Sequence, residues 1–398
     1  MAPDSLDRSS EAIDYVARAR EVAVKAAALS DEIERQRRLP PALLDALHGA
    51  GLFRLLLPRA FGGAETDPLT FFKVIEAVAK ADASTAWCLG QASGCSMAAA
   101  YLDPAVARAV FGDDPRAVLA WGPGPKVRAV QVEGGYRVTG EWSFASGGRH
   151  ATWLGAHCPI FTPDGAPLRD AAGRGVERTM LVPASEVVWT DIWKVVGLRG
   201  TASDAFALTD HFVRADHSIT RDFEKECRET GPLYRMSALA LYEIAFAGVS
   251  LGIARACLDQ FIEVSRTKVP RGLKYAIRDN AVVQAGAARA DIGVRSARLY
   301  LTKTFRAIWD EVRQPGARFT LDQRIALRGA STHAIHQSRE AVDFAYNAAG
   351  ATAIFESHPL ERRFRDMHTV TQQLQGRAQH FESVGAHMLG SAPDLTFV

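Results

Sequence analysis

The 398-residue sequence predicts an α+β fold in three consecutive parts: an N-terminal α-helical domain, a central β-barrel or sandwich, and a C-terminal four-helix bundle. Three observations predict it. Apolar residues recur at helical spacing over the first 115 residues, short strand-favouring runs fill 117–217, and helical spacing returns beyond 234. Turn signals crowd the middle part: Gly122-Pro123-Gly124-Pro125, Glu133-Gly134-Gly135 and Pro163-Asp164-Gly165. No strand–GxGxxG–helix pattern occurs, so a dinucleotide-binding βαβ fold is excluded. The domains are accordingly 1–115, 116–217 and 218–398, the last opening with a linker or flap.

Each element has a local reason. Residues 13–35 read as a first helix, and Pro40-Pro41 restart the chain for a short one over 42–52. Asp67 before Pro68 is an N-cap followed by proline at the first helical position, opening a helix through about Lys80. Ser84 is the expected cap of a helix over 85–101, rich in Ala, Gly and Ser. Its small residues Ala86, Gly90, Ala92 and Gly94 leave room beside Trp87 for something bulky. Asp103-Pro104 starts a short helix ending near Gly112. Strands are expected over 118–121, 127–132, 136–144, 151–157, 179–183, 187–193 and 205–213. The charged, aperiodic stretch 214–232 reads as the flap, and four long helices are expected over 239–265, 278–309, 321–349 and 360–389.

Composition narrows the function classes. The 47 Lys and Arg nearly balance 45 Asp and Glu, so no bulk field points to nucleic acid or a membrane surface. No run of about 18 apolar residues marks a membrane span. The polar N-terminus does not read as a signal peptide. Five scattered cysteines without a CxxC pair indicate neither a metal site nor disulfides, so a cytoplasmic protein is expected.

The segment 134–153, GGYRVTGEWSFASGGRHATW, carries the chemistry. It starts with strand alternation, then places Trp142, Ser143, Phe144, Ala145 and Ser146 before Gly147-Gly148, Arg149 and His150. Flat rings, hydroxyls and glycines at a strand end suit a flat, polar-edged ligand such as a flavin. Glycines let backbone N–H groups approach, and hydroxyls bond a carbonyl edge.

The α–β–α order resembles the acyl-CoA dehydrogenase fold, and more narrowly its two-component flavin-dependent monooxygenase branch. The matching stretches are ADASTAWCLGQASG (81–94), GGYRVTGEWSFASG (134–147), VGLRGTASDAFALTDHFV (196–213) and AAGATAIFESHPLERRFRD (348–366). The resemblance implies FMN or FAD as cofactor, delivered reduced by a separate flavin reductase. It implies a small aromatic or heteroatom-containing substrate, O2, and a homotetramer. It implies Trp142, Ser143, Phe144, Ser146, Thr201 and Ser203 at the flavin ring, and Arg266 and Gln284 at its phosphate. Trp87, Tyr242 and Gln375 would line the substrate side.

Two reactions stay open. A dehydrogenase needs a carboxylate to take the α-proton of a thioester. At the family position on the last helix stands Gln375, and at the other stands Tyr242, with Glu243 one residue on. An oxygenase of the branch forms a C4a-(hydro)peroxyflavin, which must be kept dry and hydrogen-bonded. Phenol hydroxylases of that branch often carry a histidine where this chain has Gln373, so the catalytic candidates are His150, with His368 as a second histidine, Ser146 and Gln373 itself. The oxygenase is the leading expectation, and an acyl-CoA dehydrogenase-type oxidoreductase the alternative.

Overall fold

A computed structural model describes residues 13–220 and 226–395. Residues 221–225, within the expected flap, lie outside the described residues. The N-terminal helices are α1 (Tyr15–Ala28), α2 (Ser30–Gln36), α3 (Pro41–Gly49), α4 (Pro68–Ala79), α5 (Ala83–Ser96) and the short α6 (Pro104–Ala107). The helix expected over 13–35 is thus broken at Leu29. Asp67 caps α4 through the amides of Leu69 and Thr70, as its pairing with Pro68 predicts. The cap of α5 is Asp82, not Ser84. Asp82 accepts the Thr85 amide at 2.7 Å and its hydroxyl at 2.6 Å, while Ser84 accepts the Gly200 amide at 3.2 Å. Ser84 therefore ties the helical domain to the β domain.

The strands are β1 (Leu119–Gly122), β2 (Arg128–Val132), β3 (Gly135–Trp142), β4 (Trp153–Phe161), β5 (Glu177–Pro183), β6 (Val188–Thr190), β7 (Ala205–Arg214) and β8 (Ser218–Thr220). They hydrogen-bond in the order β6-β7-β3-β2-β4-β5-β8, with β1 on β4. The β8 strand falls inside the expected flap and pairs with β5. Alternation gives the domain its own core, in which Val138, Trp142, Leu154, Ala156, Met180 and Phe206 meet.

The C-terminal part holds α7 (Ala238–Thr267), α8 (Ala281–Val312) and α9 (Leu321–Ala349), then α10 (Pro359–Val370) and α11 (Gln379–Met388). The fourth expected helix is split. Gln373 adopts extended backbone, its side chain caps the Leu374 amide, and a single turn over Leu374–Gly376 precedes α11. By length and composition α7 could cross a membrane, but 89% of its most apolar window is buried inside the protein. It is the central helix of the bundle. The space expected beside Trp87 is filled by this helix. A Cβ on Gly90 would lie 2.9 Å from Ala245 Cβ, and one on Gly94 would lie 2.3 Å from the Tyr242 ring. The small residues of α5 serve close helix–helix packing.

Candidate active site

Two loops meet where α5, α7 and the β domain converge: 143–150, after β3, and 198–204, before β7. Each is held in a costly backbone conformation. Phe144 (φ 58°), Leu198 (φ 51°) and Ala202 (φ 45°) all lie in the left-handed region without being glycine, at a cost of about 1–3 kcal/mol each. The loops are stitched together: the Gly147 amide donates to the Thr201 carbonyl at 2.8 Å, and Arg149 Nε to Asp204 at 2.7 Å. Asp204 also accepts the Ile192 and Trp193 amides at 3.1 Å, and the Arg149 guanidinium lies 4.7 Å from the Trp189 ring. Gly122, at the end of β1, allows the closest approach: a Cβ there would sit 1.9 Å from the Ser143 carbonyl.

Across these loops runs a chain of polar side chains. Trp87 Nε1 donates to Ser146 Oγ at 3.1 Å. Ser146 and Ser203 hydroxyls are 2.7 Å apart, as are Ser203 and Thr201. Thr201 donates to the Leu198 carbonyl at 2.9 Å. The indole of Trp87 stacks on Phe246 at 3.9 Å, and Phe246 is parallel to Tyr242 at 5.8 Å. The Tyr242 hydroxyl lies 3.4 Å from both Cys95 Sγ and the Gln91 carbonyl. Burial pushes the Tyr242 phenol well above its ordinary value and the Cys95 thiol up to about 12, so both stay protonated at neutral pH.

The structure brings together Trp87, Ser146, Thr201, Ser203 and Tyr242, and separates others. Trp142, expected on a flavin ring, is fully buried in the β core, stacked on Phe206 with Nε1 on the His157 carbonyl at 3.0 Å. Strand parity is the reason, since it shares a face with Val138. Thr201 and Ser203 are sealed from solvent, at 0% and 1% exposure, their hydroxyls turned to each other and to Ser146. Ser143 lies at the loop's outer edge, its amide on the Pro123 carbonyl at 3.0 Å, and Phe144 is 58% exposed, edge-on to Trp193 at 5.9 Å.

The His150 ring is enclosed between Gly147 and Phe53, and burial, with His48 nearby, lowers its pKa to about 4. Its buried Nε2 has no hydrogen-bond partner among the described residues. His368 pairs with Asp343 at 2.8 Å on the half-exposed face of α10. Gln373 is spent on capping. Arg266 is 57% exposed with Glu263 as its ion-pair partner, and Gln284 donates to the Arg278 carbonyl at 2.8 Å. Neither touches the Trp87–Ser146 cluster in one subunit.

At the two positions for a dehydrogenase base stand Gln375 and Tyr242, with Glu243 one residue after the latter. Gln375 is buried, and its Oε1 has no partner among the described residues. Glu243 faces the bundle interior and pairs with the fully buried Arg328 at 2.6 Å. Arg328 Nη1 lies 3.0 Å from His380 Nε2, which is 2.7 Å from the Leu374 carbonyl, and Thr332 donates to the Gln375 carbonyl at 3.2 Å. Burial raises Glu243 to about 7 despite Arg328. Phe246 and Arg328 were not singled out from sequence. Phe246 had a signal, since it lies four residues after Tyr242 on the same helix face. The larger open clefts, of about 740 and 690 Å3, are lined by ion pairs such as Arg178–Glu226 and Arg365–Glu34 and share no residue with this cluster.

What the loop leaves open to a flavin is the 58%-exposed ring of Phe144 beside the half-buried Ser143, while Gly122 and Gly147 are closed by Ser143 and His150. Residues 9–105 match the model of the acyl-CoA dehydrogenase N-terminal domain, and residues 244–375 that of the C-terminal domain. The chain belongs to the acyl-CoA dehydrogenase family, in its flavin-dependent monooxygenase branch. It is similar to an indole-3-acetate monooxygenase of Pseudomonas putida, 29% identical over 91% of this chain and 90% of the relative. An FADH(2)-dependent resorcinol hydroxylase oxygenase component of Rhizobium sp. is 29% identical, again over 91% and 90%. The solved structure of XiaF from Streptomyces sp., in complex with FADH2 and glycerol, superposes with a TM-score of 0.87 at 27% identity, over 96% of both chains.

Proposed function

We propose that the protein is the oxygenase component of a two-component monooxygenase. It takes reduced FMN or FAD from a separate flavin reductase, and uses O2 to oxygenate a small aromatic or heteroatom-containing substrate. The observation that carries this reading is the state of the two dehydrogenase base positions: Gln375, a neutral amide, stands at one and Tyr242 at the other, and Glu243, one residue after Tyr242, is locked to Arg328 inside the bundle. No carboxylate at either place is free to take a thioester α-proton.

In this reading the flavin lies against the 143–147 loop and, when bound, supplies the two electrons that activate O2. The chain's own residues do the rest. Trp87, Phe246 and Tyr242 form an apolar wall that keeps water out. The hydroxyl of Ser143, half-buried at the loop's outer edge, would bond the polar edge of the ring. Arg266 and Gln284, exposed on the outside of the bundle, are assigned to the phosphate of a flavin bound across a subunit boundary of a homotetramer, and the protein to the cytoplasm. A guanidinium fork suits a phosphate of either FMN or FAD.

The test is anaerobic reduction of the flavin-loaded protein followed by rapid mixing with O2. A transient, blue-shifted flavin absorbance that decays faster with substrate is expected. Bleaching of oxidised flavin by an acyl-CoA, with no such transient, would instead establish the dehydrogenase.

A further inference from the structure

The chain Trp87–Ser146–Ser203–Thr201–Leu198 has a direction. The indole Nε1 can only donate and a carbonyl can only accept, whereas each hydroxyl between them has one proton. With Trp87 fixed as donor at one end and the Leu198 carbonyl as acceptor at the other, every proton finds an acceptor in one order alone. Trp87 donates to Ser146, Ser146 to Ser203, Ser203 to Thr201, and Thr201 to Leu198, over 3.1, 2.7, 2.7 and 2.9 Å. The acceptor end is pinned. The Leu198 carbonyl also receives Trp193 Nε1 at 3.0 Å, and the Leu198 amide donates to Asp366 at 2.6 Å. Gly197 packs so closely on α10 that a Cβ would meet the Arg365 carbonyl at 2.3 Å. The chain thus runs from the last long segment of the bundle, through a strained turn, to the wall of the pocket.

We propose that Thr201 and Ser203 are positioning residues which act through Ser146 to hold Trp87 against Phe246. Ser146 then meets a pocket ligand with a lone pair, its own proton being committed inward to Ser203. This departs from the expectation that Thr201 and Ser203 bind the cofactor themselves. Its ligand-binding consequence rests on the flavin-pocket reading above; the chain itself does not.

A double-mutant cycle decides it. Thr201→Val and Ser203→Ala are made in the native protein and in Trp87→Phe, with Thr201→Ser as the rescue. Dissociation constants for oxidised FMN and for FAD are read by flavin fluorescence, and urea midpoints are measured without flavin. Each substitution is expected to weaken flavin binding about three- to ten-fold when Trp87 is present and less than two-fold when it is Phe, with Thr201→Ser near the native value. Equal weakening in both backgrounds means direct contact and overturns the proposal. If the native chain binds neither flavin, the oxygenase reading fails. The urea cycle then still decides the chain: non-additive midpoint shifts for Thr201→Val and Trp87→Phe support it, and additive shifts overturn it. Should Thr201→Val not fold, Ser203→Ala completes the same cycle.

Discussion

Two polar clusters are buried in this protein, and they are built on opposite terms. The one behind the pocket wall is neutral: Trp87, Ser146, Ser203 and Thr201 pass one proton each along a line and leave none unmatched. The one between α7, α9 and the turn before α11 is charged and incomplete. Glu243 and Arg328 are paired at 2.6 Å, but Glu243 Oε2, Arg328 Nε, Ser331 Oγ and Gln375 Oε1 have no hydrogen-bond partner among the described residues. A hydroxyl chain is cheap to bury once satisfied. An ion pair carries desolvation of both charges and a dependence on pH. The neutral cluster sits where the helical domain meets the β domain, and the charged one in the bundle core.

The largest expected effect comes from breaking the charged pair. Arg328→Ala leaves Glu243 buried without its cation, and should cost about 3–5 kcal/mol in urea unfolding near neutral pH. The deficit should be largest above pH 7, where the native Glu243 ionises against Arg328, and smaller below it, where the carboxyl is protonated with or without its partner. A deficit that does not change with pH would mean that Glu243 is not what Arg328 stabilises.

Next in size is the pH slope itself. Glu243 and Asp366 are both raised to about 7 by burial. A carboxyl whose folded pKa lies above its unfolded value favours folding below the unfolded pKa. That contribution is lost as pH rises through the folded value. Stability should therefore decline between about pH 4.5 and 7, by on the order of 2–3 kcal/mol for each group. Glu243→Gln and Asp366→Asn should each remove part of the slope. Ser203→Ala, in the neutral cluster, should lose about 1–2 kcal/mol, equally at pH 5 and pH 8. A slope in that difference would show that the hydroxyl chain is coupled to a titrating group.

The comparison also shows what sequence could and could not reveal. Local signals were reliable where one residue decides: Asp67 with Pro68 set the start of α4. They failed where two candidates compete, because Asp82 outbids Ser84 once Ser84 has Gly200 to serve. Strand parity already contained the fate of Trp142, which shares a face with Val138; motif resemblance drew the eye to the ring instead. The hydroxyl chain was only half legible. Its members stand in the recognised motifs, but Ser146 and Ser203 are 57 positions apart, and no periodicity states that they touch. Glu243–Arg328 is harder still, since nothing in the sequence says that Arg328, and not Arg324 or Arg339 on the same helix, will be fully buried.

The smallest effect on stability should come from a residue in neither cluster, and there it separates folding from function. Arg266 is 57% exposed, and its one ion pair is local, to Glu263 three residues before it. Such pairs are worth about 0–1 kcal/mol, so Arg266→Ala should leave the urea midpoint nearly unchanged. If Arg266 reaches a flavin phosphate on a neighbouring subunit, the same variant should weaken FMN and FAD binding about ten-fold, because the bidentate partner of a dianion is gone. Riboflavin, which lacks the phosphate, should bind the variant and the native protein equally well. Equal loss for all three flavins would place Arg266 on the ring or the subunit contact instead, and equal binding of all three would remove it from the site.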